Sequence, residues 1–277
     1  MKVYISADIE GVAGVVSTAQ TLEQGFEYER ARVWMTNEVI AACEGAKAAG
    51  AEEVIVSDSH GNGQSILVDK LPEGVRLVRN WPRPLGMMQG VETEGVACAF
   101  LLGYHTGAHH STGVLAHTAS SLLFSELRLN GRPASETTFS TAIAGHFNVP
   151  IVFASGDDAY MRHVEEEFDG PIETVETKTA AGRYSALTLT PKEACAMLRT
   201  SAEKAVALKD AAQPQKLDGP IVFEADFQRH LPAEVLAYLP CVDRTGPYTI
   251  SFTGQDMVSV SKFLSLLTAI KVPEFIP

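Results

Sequence analysis

Four short apolar runs constrain this chain most: VYISAD (3–8), VIVSDSHG (54–61), VACAFLLGYH (96–105) and PIVFASGDD (150–158). Each is of strand length and is apolar on both faces rather than alternating. Between the first two, EYERARVWMTNEVIAACEGAKAA (27–49) keeps Ala31, Trp34, Met35, Val39, Ala42 and Ala46 on one helical face, and Gly50 supplies the stop. A second helix is expected from about Glu136 to Phe147, capped by Ser135. Two-faced strands alternating with helices predict an α/β fold, a largely parallel sheet flanked by helices.

LRLNGRP (127–133) breaks the rhythm, because Asn130-Gly131 signals a tight hairpin turn. Beyond Gly170, TVETKTAAGRYSALTLT reads as strand, and Thr190-Pro191-Lys192-Glu193 opens a helix to about Lys209. PIVFEADF (220–227), a helix near 232–239, YTISFTG (248–254) and a helix over 255–270 follow. The acidic, turn-prone EEEFDGP (165–171) marks a boundary. It divides a metal-binding α/β domain, 1–168, from a second, smaller α/β domain, 169–277.

Parallel strands finish on one edge, and ligands bind in the crevice outside their carboxyl ends. Asp8 and Glu10 end the first strand, His60 follows the second and His105 ends the third. Residues two apart in extended chain point to the same side, so both carboxylates can face one site. Side by side they repel unless a cation lies between them. Two imidazoles with two carboxylates suit zinc, cobalt or manganese better than calcium or magnesium, which prefer oxygen shells.

Four such ligands suffice for one ion. A second ion needs a bridging carboxylate and a further donor, for which Glu136, in the first turn of its helix, is the candidate; complementing the helix dipole is its other reading. The segment HTGAHHSTGVLAH (105–117) carries His109, His110 and His117. It reads either as a surface loop or as one that closes over substrate. In the second case His117 serves as proton donor or as hydrogen-bond donor to a developing oxyanion. Asp157-Asp158 reads as a structural turn, and Lys178 and Arg183 as solvated surface cations.

The formal charge of -12, from 34 acidic against 22 basic side chains, argues against nucleic acid and anionic membrane as partners. Cys43, Cys98, Cys195 and Cys241 are isolated, without C-x-x-C spacing, and read as core thiols of a reducing compartment. No apolar stretch approaches the ~20 residues of a membrane span. A cytoplasmic location is expected.

Together ADIEG (7–11), YERAR with MTNE (28–38), VSDSHG (56–61), LGYH (102–105), GVLAHT (113–118), LNGRPASE (129–136) and ASGDD (154–158) form an ordered set. That set resembles the zinc-dependent D-aminopeptidases associated with bacterial dipeptide transport. The resemblance spans the chain and weakens after about residue 180. It implies two zinc ions per subunit on Asp8, Glu10, His60, His105 and Glu136, a catalytic-type His117, and a homo-oligomer of stacked rings, commonly a decamer. The His109-His110 pair and Ala134-Ser135 before Glu136 depart from the family pattern. They bear on side-chain and stereochemical preference.

The reaction so implied is hydrolysis of the N-terminal peptide bond of a short peptide by a metal-activated water. Other dinuclear hydrolases, an amidohydrolase or a phosphoesterase, are the enzymatic alternatives. Phosphoryl transfer needs cationic clamps, and residues 96–140 contain only Arg128 and Arg132. A non-catalytic metal or peptide binder, with saturated metal shells, is the remaining alternative.

Overall fold

A computed structural model describes residues 1–270. In chain order the strands are β1 (Lys2–Ala7), β2 (Glu53–Asp58), β3 (Val75–Val78), β4 (Val96–Leu102), β5 (Phe124–Leu129), β6 (Arg132–Pro133), β7 (Ile151–Asp157), β8 (Glu173–Gly182), β9 (Ser185–Thr188), β10 (Ile221–Phe227), β11 (Val242–Arg244) and β12 (Thr249–Gly254). The helices are α1 (Thr18–Thr21), α2 (Tyr28–Ala48), α3 (Glu136–His146), α4 (Asp158–Glu167), α5 (Pro191–Val206), α6 (His230–Leu236) and α7 (Met257–Ala269).

A seven-stranded sheet runs β3-β2-β1-β4-β7-β8-β9, parallel except at the β9 edge. Along β1, Val3, Ile5 and Ala7 pack with residues of α2 and α5 in one core, while Tyr4 joins the opposite core against α3, α7 and the second sheet. Burial of both faces explains why these strands read as unbroken apolar runs. Each fully buried Tyr4, Phe100 or Phe153 contributes about 1.5–3 kcal/mol.

The second sheet is five-stranded and antiparallel, ordered β11-β12-β10-β5-β6. Asn130 (φ 50°) and Gly131 (φ 75°) turn the β5–β6 hairpin with left-handed backbone, as the Asn-Gly pair predicts. The sheets do not divide at residue 168. β8 and β9 extend the parallel sheet, whereas the early hairpin β5–β6 pairs with β10 in the antiparallel one. The acidic stretch at 165–167 is the last turn of α4, a helix with a narrow apolar face of Ala159, Tyr160 and Val164. No helix among the described residues is long and apolar enough to cross a membrane.

Candidate metal centre

From β1 the sheet order runs outward to β2 and β3; from β4 it runs the other way to β7 and β8. The carboxyl ends of β1 and β4 therefore bound the crevice expected at such a reversal. Gly11 N–H donates to the Gly103 carbonyl at 2.7 Å. A Cβ on Gly11 would lie 2.1 Å from the Tyr104 carbonyl oxygen, and one on Gly103 (φ +68°) 2.4 Å from that of Asp8. Glycine alone permits this approach, which sets Asp8 against His105.

Asp8 lies across the centre, its Oδ1 3.1 Å from His60 Nδ1 and its Oδ2 3.5 Å from His105 Nε2. Glu10 Oε2 is 3.0 Å from His60 Nδ1, and Glu136 Oε2 is 3.3 Å from His105 Nε2. Glu136 Oε1 is 3.6 Å from His117 Nε2, and the His105 and His117 rings stack 4.3 Å apart. The trios Asp8–Glu10–His105 and His105–His117–Glu136 each bring ligand-type atoms within 4.8 Å of one another. The first five residues are buried and His117 half-buried. All six sequence candidates thus share one cluster.

Each ring is fixed from behind by a backbone carbonyl. His60 Nε2 donates to Thr21 O (2.7 Å), His105 Nδ1 to Thr106 O (2.9 Å) and His117 Nδ1 to Leu115 O (2.9 Å). A carbonyl only accepts, so those nitrogens carry the protons, and the opposite nitrogen of each neutral ring aims a lone pair at carboxylates. Histidine ligands of metals are oriented in this way. Glu10 Oε2 and His105 Nε2 are buried with no hydrogen-bond partner among the described residues. Orphaned acceptors facing one another fit a divalent cation, and the nitrogen and oxygen donor set fits zinc.

The electrostatics agree. Burial alone would lower His60, but Glu10 and Asp8 outweigh it and hold the ring well above the ordinary histidine range. His105 is raised in the same way by Glu136 and Asp8, against burial. Asp8, despite burial, is held well below its ordinary value by His105 and His60, and Glu136 is lowered mainly by His105. Raised imidazoles and lowered carboxylates both mark a site that favours added positive charge.

The loop carrying His117 is held under strain. Leu115 (φ 56°) and Ala119 (φ 59°) both adopt left-handed backbone, at a cost on the order of 1–3 kcal/mol each. Ala119 N–H donates to Glu136 Oε1 (2.7 Å), and Val114 N–H donates to Asp157 Oδ2 (2.5 Å). Asp157 Oδ1 meanwhile caps α4 by accepting from Tyr160 N–H.

Lys178 is not a solvated surface cation, and Arg183, though at the surface, is tied to the backbone. Lys178 is buried, its ammonium donating to the carbonyls of Glu10 (2.5 Å), Val12 (2.8 Å) and Val15 (2.6 Å). A register shift opposite Gly156/Asp157 turns both Thr177 and Lys178 inward, which strict alternation along β8 cannot reveal. Arg183 is exposed, yet its guanidinium donates to Ala116 O (2.6 Å) and its carbonyl accepts Leu115 N–H (2.9 Å), bracing the loop beside His117. Arg83, unremarked in the sequence, is also buried. It donates to Ser57 Oγ and the Asp58 carbonyl, both at 2.8 Å, and lies 4.2 Å from the Trp81 ring centroid, bracing the turn that carries His60. Trp81-Pro82-Arg83 was the available signal.

Known proteins resemble this chain over nearly its whole length. A D-aminopeptidase of Bacillus subtilis (strain 168) is 28% identical over 271 residues, covering 97% of each chain. A solved structure, the Zn-dependent D-aminopeptidase DppA from Bacillus subtilis, a self-compartmentalizing protease, superposes with a TM-score of 0.91 at 28% identity, again over 97% of each chain. Residues 1–266 match the family Peptidase_M55, D-aminopeptidase. With strand ends, tautomers and chain-length similarity in accord, the chain belongs to the M55 family of D-aminopeptidases.

Proposed function

We propose that the protein releases a D-configured N-terminal residue from short peptides, with two zinc ions held by Asp8, Glu10, His60, His105 and Glu136. One observation carries this reading: the His60 and His105 imidazoles are each locked by a backbone carbonyl so that the bare nitrogen faces buried carboxylates that form no salt bridge to a Lys or Arg side chain among the described residues. Asp8, reaching His60 with one oxygen and His105 with the other, would serve both ions. Glu10 and His60 complete one half-site, and His105 and Glu136 the other. Three buried carboxylates exceed the charge of one divalent ion, which favours two. Zinc bound here supplies a Lewis acid for the scissile carbonyl and lowers the pKa of a bound water.

The chain's own groups supply the rest. The acidic crevice attracts the N-terminal ammonium of the substrate. His117, with its Nδ1 proton on Leu115 O, turns Nε2 to the crevice, where it takes the proton released by the attacking water and delivers it to the leaving nitrogen, or donates it to the tetrahedral oxyanion. Arg128 is engaged by Glu126 and Asp226 at 2.6 Å each, so it is not free to clamp a phosphate, which disfavours a phosphoesterase.

The D preference rests on family membership, and self-association into stacked rings, a decamer, rests on the likeness to a self-compartmentalizing protease. Exposed Leu22, Phe26, Tyr184 and Leu187 are apolar side chains that such contacts would cover. The isolated cysteines support a cytoplasmic location. The test is to strip the protein with chelator, restore zinc and assay matched D and L dipeptides. Zinc-dependent release of the D residue is expected; no release from any dipeptide would refute the proposal.

A further inference from the structure

The His109-His110 pair lies in the loop between His105 and His117, and α4 passes beside it. His110 Nε2 is 3.0 Å from His163 Nδ1, and His110, His163 and Glu166 each offer one ligand-type atom within 4.8 Å of the others. His163 and Glu166, three apart on α4, share a helix face. His163 is buried, His110 half-buried and Glu166 exposed, so the trio opens to solvent on one side.

The far side of His163 is already committed. Its Nε2 is 2.9 Å from Ser135 Oγ, which accepts the Thr138 N–H as the cap of α3. With the Nε2 proton donated to Ser135, Nδ1 presents a lone pair to His110, the orientation that a hydrogen-bond partner imposes on a metal-binding histidine. Burial, with His110 and His109 adding to it, pulls His163 down to about 3, so the ring is neutral and available as a ligand at neutral pH. The 3.0 Å separation is near the roughly 3.3 Å between nitrogens that share a tetrahedral zinc.

We propose that His110, His163 and Glu166 hold an additional divalent transition-metal ion, zinc in the first instance, which fastens the loop between His105 and His117 to α4. Two imidazoles and one carboxylate select zinc, nickel or copper over calcium or magnesium. Solvent fills the remaining coordination positions on the open side. Asp157 already ties this loop to the start of α4 through Val114, and the cation adds a second tie, earlier in the loop and further along α4.

The test titrates chelator-stripped full-length protein with zinc and counts equivalents in wild type, His110→Ala and Glu166→Gln. Wild type is expected to bind one equivalent more than His110→Ala, and Glu166→Gln to weaken that equivalent by roughly tenfold or more. Hydrogen exchange over residues 107–113 should then slow on zinc addition more in wild type than in His110→Ala. Wild type and variant share the Asp8 cluster, so their difference is one whether that cluster takes two ions, one or none. Equal zinc counts in wild type and His110→Ala overturn the proposal.

Discussion

Lys178 Nζ donates to the Glu10 carbonyl at 2.5 Å, placing a buried ammonium directly behind a carboxylate of the acidic cluster. The same nitrogen donates to the Val12 and Val15 carbonyls, so the turn after β1 is wound around one cation. Burial pulls this lysine down to about 8, against Asp157, Glu38 and Glu10. The ammonium fixes the backbone of the turn from which Glu10 projects.

Replacing Lys178 with Met keeps the volume and removes all three donors. The Glu10 and Val15 carbonyls are left without another donor among the described residues, at about 1–3 kcal/mol each, while the Val12 carbonyl keeps the Val15 N–H. Urea unfolding of Lys178→Met is expected to show a loss of about 2 kcal/mol or more, together with weaker zinc retention on dialysis under conditions where the variant stays folded. Unchanged stability would mean that the carbonyls find other donors.

If Asp8 bridges two half-sites, its loss is felt twice. Asp8→Asn is expected to lose both tightly held zinc equivalents of the cluster, whereas Glu10→Gln or Glu136→Gln loses about one, since each serves a single half-site. Elemental analysis after exhaustive dialysis reads the counts. An Asp8→Asn protein retaining as much zinc as Glu10→Gln rules out the bridging role.

His117 is tied to the cluster through Glu136 but is its most solvent-accessible member, with 21% of its side chain exposed. His117→Ala should lower kcat by about 10²–10⁴, the range for losing a general acid, with little change in KM and unchanged zinc content. Unchanged turnover would remove it from the reaction.

The chain's local patterns carried the parallel sheet and the strand-end residues. Asp8, Glu10, His60 and His105 sit where apolar runs stop, and position in a parallel sheet does the rest. Glu136 was visible through its cap, Ser135, a local signal. What stayed hidden depends on distant partners. β5 pairs with β10 across about a hundred residues, which no window along the chain detects. Short β3 and β11 take their strand identity from a neighbour's edge. Lys178 turns inward only because β8 shifts register beside β7, and Arg183 matters only because a hairpin 67 residues away in sequence from Ala116 folds back onto the loop.

Glu38 of α2 makes a prediction about pH. It is buried; its Oε1 accepts the Ala13 N–H at 2.9 Å, and its Oε2 has no partner among the described residues. Burial pushes its carboxyl up from 4.5 to about 7, with the Ala13 N–H and Lys178 opposing. The folded protein therefore holds this proton more tightly than the unfolded chain does. The stabilisation is fully present below about 4.5 and is lost as pH rises through about 7, with a slope of at most about 1.4 kcal/mol per pH unit. Glu38→Gln keeps an oxygen acceptor for Ala13 and has no proton to lose. Urea midpoints measured from pH 5 to pH 8 should show the variant gaining on wild type as pH rises to about 7 and the gap levelling above it. Parallel profiles would show that Glu38 ionises in the folded protein as it does in the unfolded chain, and that the Lys178 ammonium compensates its burial in full.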